Sequence, residues 1–178
     1  MTARKKRSKT RAKTKATPAR VGVLMGSAND YDVMKVAEDA LEGLGVGCDV
    51  RVISAHRTPE RLTRFLAEAE ENGIEVVICG AGAAAHLAGV TAAHTLLPVL
   101  GVPIDGSPLN GLDALLSTVQ MPGGIPVATF GIGRSGAKNA GLFAAQILAA
   151  GDPDLRKRLA QFREEQSDKV PERPGAAG

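Results

Sequence analysis

The sequence predicts an α/β domain built on a parallel sheet, and three observations carry that reading. From Arg20 onward, short β-branched runs alternate with stretches whose apolar residues recur at helical spacing. The helical stretches fall between successive runs, as right-handed crossovers between parallel strands require. The chain has 178 residues, 44% of them apolar, which is enough to bury one good core in a single domain.

The strands are read, in order, over Arg20–Met25, Cys48–Ile53, Glu75–Cys79, Pro98–Val102 and Pro126–Phe130. Between the first two, Val33, Val36, Ala37, Ala40, Leu41 and Leu44 keep a helical period. After the second strand, Thr58 reads as an N-cap and Pro59 as the first helical residue, with Leu62, Phe65, Leu66 and Ala69 forming the apolar stripe. The stretch Ser135–Ala150 has hardly any polar face, so its own sheet or another subunit must cover it. Asp152–Asp168 reads as a last, charged helix and Pro171–Gly178 as a loose end. Five such strands give a three-layer sandwich, most simply with the flavodoxin-like strand order 2-1-3-4-5. In that order the loops after the first, second and third strands gather at the switch point, where ligands bind.

Charge is divided unevenly. Residues 1–20 hold nine Lys/Arg and no acid, leaving 13 of the 22 basic residues against all 19 acidic ones, a net −6, in the remainder. The domain reading is therefore a disordered basic tail over 1–19, one α/β domain over 20–168 and a flexible end over 169–178. Met1–Pro18 lacks the apolar stretch of a secretory signal and the apolar helix face of a transit peptide, and no run approaches a membrane span. With one Tyr, four Phe and no Trp, the chain lacks stacking platforms for bases, so nucleic acid contact is limited to weak contact by the tail. Cys48 and Cys79 lack CxxC spacing and read as buried structural thiols of a cytoplasmic protein. The three histidines form neither HxxxH nor HxH, and no metal site is expected.

Candidate chemistry sits in three loops. Ser54-Ala55-His56-Arg57-Thr58-Pro59 sets a histidine and an arginine where a strand gives way to a helix. The helix N-terminus and the Arg57 guanidinium favour an anion such as phosphate, and His56 beside them can both give and take a proton near neutral pH. Gly26-Ser27 opens the first crossover and can bring N–H groups and a hydroxyl to a ligand, while Asp30 suits a helix cap and a ribose contact equally well. Gly80–Gly89 is a run of small side chains that lets backbone approach a ligand at Gly82. His86 in that run suits a supporting hydrogen bond, and His94 a satisfied or exposed helix position. A hydrolase lacks its GxSxG, a phosphoacceptor receiver lacks its acidic cluster, and neither GxxxxGK[ST] nor a GxGxxG after the first strand occurs.

Taken together, Gly26-Ser27-x-x-Asp30, Ser54–Pro59, Gly80-Ala81-Gly82-x-Ala84-Ala85-His86-Leu87, Gly101-Val102-Pro103 and Val119–Val127 resemble the phosphoribosylaminoimidazole carboxylase catalytic-subunit family. Within it, the chain is similar to the class I branch, the N5-carboxyaminoimidazole ribonucleotide mutases of purine biosynthesis. The resemblance implies a carboxylate moved from the exocyclic nitrogen to ring C4 of a small ribonucleotide, with no cofactor, by a homo-oligomer whose family expectation is an octamer. It implies His56 as the acid/base, with Ser27, Asp30, Ser54, Arg57, Gly82 and His86 around the substrate. Arg57 directly after His56 favours the mutase over the direct carboxylase, whose members often carry Lys there. A flavodoxin-like binding module without chemistry is the alternative from another class. Three departures stand out: Ala83 where the family usually has Gly, Ala88 where it has Pro, and Asn29-Asp30-Tyr31 where it has Ser-Asp-Trp.

Overall fold

Five parallel strands form one sheet in the order β2-β1-β3-β4-β5 in a computed structural model, whose described residues are 17–174. The strands are β1 (Ala19–Met25), β2 (Gly47–Val52), β3 (Val76–Gly82), β4 (Val99–Ile104) and β5 (Ala128–Thr129). The helices are α1 (Tyr31–Gly43), α2 (Pro59–Ala69), α3 (Leu87–Ala92), α4 (Leu112–Val119), α5 (Gly133–Leu148) and α6 (Pro153–Asp168). The expected order 2-1-3-4-5 is the observed one. The basic tail as far as residue 16, and residues 175–178 of the expected loose end, lie outside the described residues.

Helices cover both faces, and strand alternation divides the core in two. Val21, Val23 and Met25 of β1 join Met34, Ala37 and Leu41 of α1, Ala140 and Ala144 of α5 and Leu155 of α6. Leu24, on the opposite face of β1, joins Leu62 and Leu66 of α2 and Leu87 of α3. Two glycines set how closely the α1 side packs. A Cβ at Gly80 would clash with Met34 Sδ, and one at Gly141 would meet the Ala37 carbonyl at 2.7 Å. Contact this close draws α1 down onto β3 and α5 onto α1.

The sheet and α1, joined by α6 in the same cluster, cover the nearly apolar helix that the sequence left open. The charged last helix is capped by Asp152, which accepts from Leu155 N–H at 3.0 Å, and Pro153 opens it. Cys79 is buried, donates to Thr91 Oγ1 at 3.4 Å and has its thiol pushed up to about 12 by burial. Cys48 is half-buried rather than buried, with its thiol raised to about 11, chiefly by desolvation.

Several boundaries differ from the sequence reading. β3 runs on to Gly82 and β4 to Ile104, so Gly80-Ala81-Gly82 is strand and not loop. β5 is two residues, Ala128–Thr129, where five were expected. α3 ends at Ala92, so His94, read as a helix position, lies beyond it, and α4 has no counterpart in the sequence reading. Six and eight residues long, they are too short to register as a period, and α3 arises inside the run read as a small-residue loop.

Candidate active site

The turn after β1 is locked by reciprocal bonds. Ser27 Oγ accepts from Asn29 N–H at 3.3 Å, and Asp30 Oδ2 accepts from Ser27 N–H at 2.9 Å, a capping box on the 3-10 turn Ala28–Asp30. Asp30 therefore bonds back to the Ser27 N–H and, although it stands at the N-cap position of α1, makes no side-chain cap bond to that helix; its half-buried side chain also lines the cavity described below. Burial pushes its carboxyl above the usual range, opposed by the Ser27 N–H and by the Arg57 charge.

The turn after β2 is held by side chains as well. Ser54 N–H donates to Thr58 Oγ1 and Thr58 Oγ1 donates to Ser54 O, both at 3.0 Å. The Thr58 hydroxyl is therefore taken by the loop and makes no cap bond to α2, although Thr58 does occupy the N-cap position and Pro59 the first turn. Ser54 Oγ accepts from Arg57 N–H at 3.2 Å and from Arg57 Nε at 3.3 Å. Arg57 then reaches across to donate to Gly26 O at 2.9 Å. One guanidinium joins the first two loops.

The wall after β3 is shaped by backbone. Ala83 and Ala85 lie at φ +52 and +39, the left-handed region, which costs a side chain-bearing residue roughly 1–2 kcal/mol. Ala85 N–H bonds Gly82 O at 3.1 Å, closing the turn that brings His86 to the head of α3. His86 makes no cap bond. Its Nδ1 lies 2.7 Å from His56 Nε2, with the rings edge-on at 73° and their centroids 4.8 Å apart.

These turns enclose a cavity of about 700 Å³, within the range of small-molecule sites. Ser27, Asp30, Ser54, His56, Arg57, Gly82 and His86 all line it, so every site residue expected from sequence converges on one place. His94 lies outside it, past the end of α3, where its Nδ1 bonds Val90 O at 2.8 Å. Sequence reasoning missed the fourth wall, Ile104, Asp105 and Gly106. The signal was available: β4 neighbours β3 in the predicted order, and extending that strand by two residues delivers Asp105 to the switch point. Among the described residues no group of three His, Cys, Asp or Glu side chains is arranged to hold a metal.

The AIR carboxylase family model matches residues 20–169. The chain belongs to the AIR carboxylase family. Among similar family members is the N5-carboxyaminoimidazole ribonucleotide mutase of Escherichia coli K12, 53% identical over 161 residues, covering 90% of this chain and 95% of that protein. The Bacillus subtilis 168 protein of the same name is 56% identical over 144 residues, covering 81% and 89%. That of Pyrococcus abyssi is 57% identical over 146 residues, covering 82% and 83%. A crystal structure of Treponema denticola PurE superposes with a TM-score of 0.76 at 27% identity, covering 84% of this chain and 92% of that one. The left-handed backbone of Ala83 is one that a glycine adopts without strain.

Proposed function

We propose that this chain is an N5-carboxyaminoimidazole ribonucleotide mutase, an isomerase of purine biosynthesis. The observation that carries the reading is the 53% identity to a protein of that name across 90% of this chain. The site's chemistry fits it.

Arg57 and Ser54 hold the phosphate, Ser27 the phosphate or the migrating carboxylate, and Asp30 the ribose hydroxyls. The backbone at Gly82 admits the imidazole ring, with His86 beside it. His56 in its imidazolium form gives a proton to the carbamate nitrogen, the N–C bond breaks, and carbon dioxide leaves. The aminoimidazole so formed is an enamine, and its C4 attacks the carbon dioxide to form the new C–C bond. Neutral His56 then takes the proton from C4 and returns to its starting form, so no proton is gained or lost over the cycle. The small-residue wall beside Gly82 keeps the gas in place between the two steps.

The working form is a homo-oligomer, and the octamer implied by the family is the expected state. Leu112, Leu116 and Val119 make an exposed stripe along α4, and Leu96 is 100% exposed, which is far more apolar surface than a solitary domain needs to show. Residues 20–168 are the catalytic domain, working in the cytoplasm. Among the described residues, no helix is long and apolar enough to cross a membrane.

The test offers the purified protein two nucleotides separately. N5-carboxyaminoimidazole ribonucleotide should give the C4-carboxylated product without ATP, metal or bicarbonate, and aminoimidazole ribonucleotide should react well only at high bicarbonate. Efficient use of the second compound at ordinary dissolved carbon dioxide, with none of the first, would make it a direct carboxylase. Turnover of neither would leave a binding module.

A further inference from the structure

Two imidazoles 30 residues apart in sequence, both lining the cavity, meet with His56 Nε2 at 2.7 Å from His86 Nδ1. At that separation one nitrogen must carry a proton and the other a lone pair, since two lone pairs or two N–H groups would repel. The bond therefore restricts where each ring keeps its remaining proton. A neutral histidine ordinarily favours the Nε2–H form. Both rings satisfy that preference together in only one arrangement, with His56 Nε2–H donating and His86 Nδ1 accepting.

We propose that His86 is a positioning residue: it accepts the His56 Nε2 proton, fixes the tautomer and tilt of that ring, and leaves His56 Nδ1 as the nitrogen that exchanges a proton with the substrate. This rests on the mutase reading for its substrate but not for its geometry. Three features support it. The His86 ring is free of any duty to its own helix, because it makes no cap bond to α3. The chain reaches this placement through two left-handed alanines, Ala83 and Ala85, a conformation adopted only where the surroundings impose it. The edge-on geometry, 73° between ring planes, suits an in-plane N–H of one ring meeting an in-plane lone pair of the other. An orienting partner that fixes a general base's tautomer is a recurrent element of proton-transfer sites, and a base held in the wrong tautomer loses turnover rather than substrate affinity.

The test compares the full-length wild type with His86→Leu and His86→Asn, all carrying 15N-labelled histidine. At alkaline pH, where imidazoles are neutral, nitrogen shifts distinguish a protonated from an unprotonated ring nitrogen. Wild-type His56 should be protonated at Nε2 alone. His86→Leu should show a mixture of tautomers and a kcat lower by on the order of tenfold or more, with KM changed less than about twofold. His86→Asn offers Oδ1 where Nδ1 stood, and it should restore the single tautomer and bring kcat to within roughly threefold of wild type.

Protonation of His56 at Nδ1 in the wild type would overturn the proposal, as would an unchanged kcat in His86→Leu. A His86→Asn variant no more active than His86→Leu would also overturn it, by showing that His86 moves a proton itself. Should the wild type convert neither nucleotide, the mutase reading falls. The nitrogen shifts of the three proteins would still decide the positioning role.

Discussion

Across the cavity, one wall is held in shape by side chains and the other by backbone. The turns after β1 and β2 use ordinary backbone conformations at Ser27 and place their atoms through Ser54, Thr58, Asp30 and Arg57 bonds. The turn after β3 has small side chains and places His86 through two alanines at positive φ. Polar side chains can be exchanged one at a time, with local consequences for charge and hydrogen bonding. A strained backbone is imposed by the whole loop, so substitutions there act first on stability.

The largest effect should come from the side-chain wall. His56→Asn removes the proposed proton carrier while leaving the Arg57 anchor in place. Turnover should fall by a factor on the order of 10² or more, with nucleotide affinity nearly retained. Single-turnover rates and calorimetric titration separate the two quantities, and near-normal turnover would end the single-base mechanism.

Arg57→Ala comes next. The guanidinium already donates to Gly26 O and Ser54 Oγ, so its position is set before a phosphate arrives. Losing one charge-assisted contact should weaken nucleotide binding by on the order of tenfold to a hundredfold. The loss should shrink as salt rises, because an exposed cation is screened. Binding isotherms at two ionic strengths check both statements.

The same contrast explains what could be read beforehand. The side-chain wall was legible because Ser-Ala-His-Arg-Thr-Pro and Gly-Ser-x-x-Asp name their chemistry in residue types, and strand order alone brings them together. The backbone wall was legible only as a run of small residues. Neither the positive φ at Ala83 nor the His56–His86 bond follows from composition, because both depend on β3 running to Gly82 and on α3 starting at Leu87. Thr58 shows the limit from the other side. Its position as N-cap was correct, yet its hydroxyl serves Ser54, since a nearby loop competes with the helix for the same donor and acceptor.

Ala83→Gly tests the backbone wall directly. Ala83 is exposed, so removing its methyl group gives up little buried surface, and glycine adopts φ +52 without the Cβ clash. Relief of that clash, reduced by the extra freedom glycine has when unfolded, should stabilise the protein by roughly 0.5–1 kcal/mol. Denaturant midpoints measure it. A destabilised variant would mean that the loop's shape does not depend on the strain assigned to Ala83.

The smallest effect is expected at Asp30, where the side-chain wall carries a strain of its own. Burial raises this carboxyl's folded pKa despite the Ser27 N–H and the Arg57 charge. The folded state therefore holds the proton more tightly than the unfolded state, and stability falls as pH rises from the ordinary carboxylate value through the raised one. The half-exposure of the group limits the size of that loss. Asp30→Asn removes the titration, and its Oδ1 can still accept from Ser27 N–H. The variant should show a flatter stability profile as pH rises from the ordinary carboxylate value towards neutral, and a neutral-pH melting temperature equal to or slightly above that of the parent. Affinity for the ribonucleotide should fall, because a neutral amide is a weaker acceptor for two ribose hydroxyls than a carboxylate. Thermal melts across that pH range, together with nucleotide titrations, read both halves. A variant equally stable at every pH but weaker in binding would place the Asp30 burden in the ligand complex; one less stable at neutral pH would show the carboxylate to be needed by the fold itself.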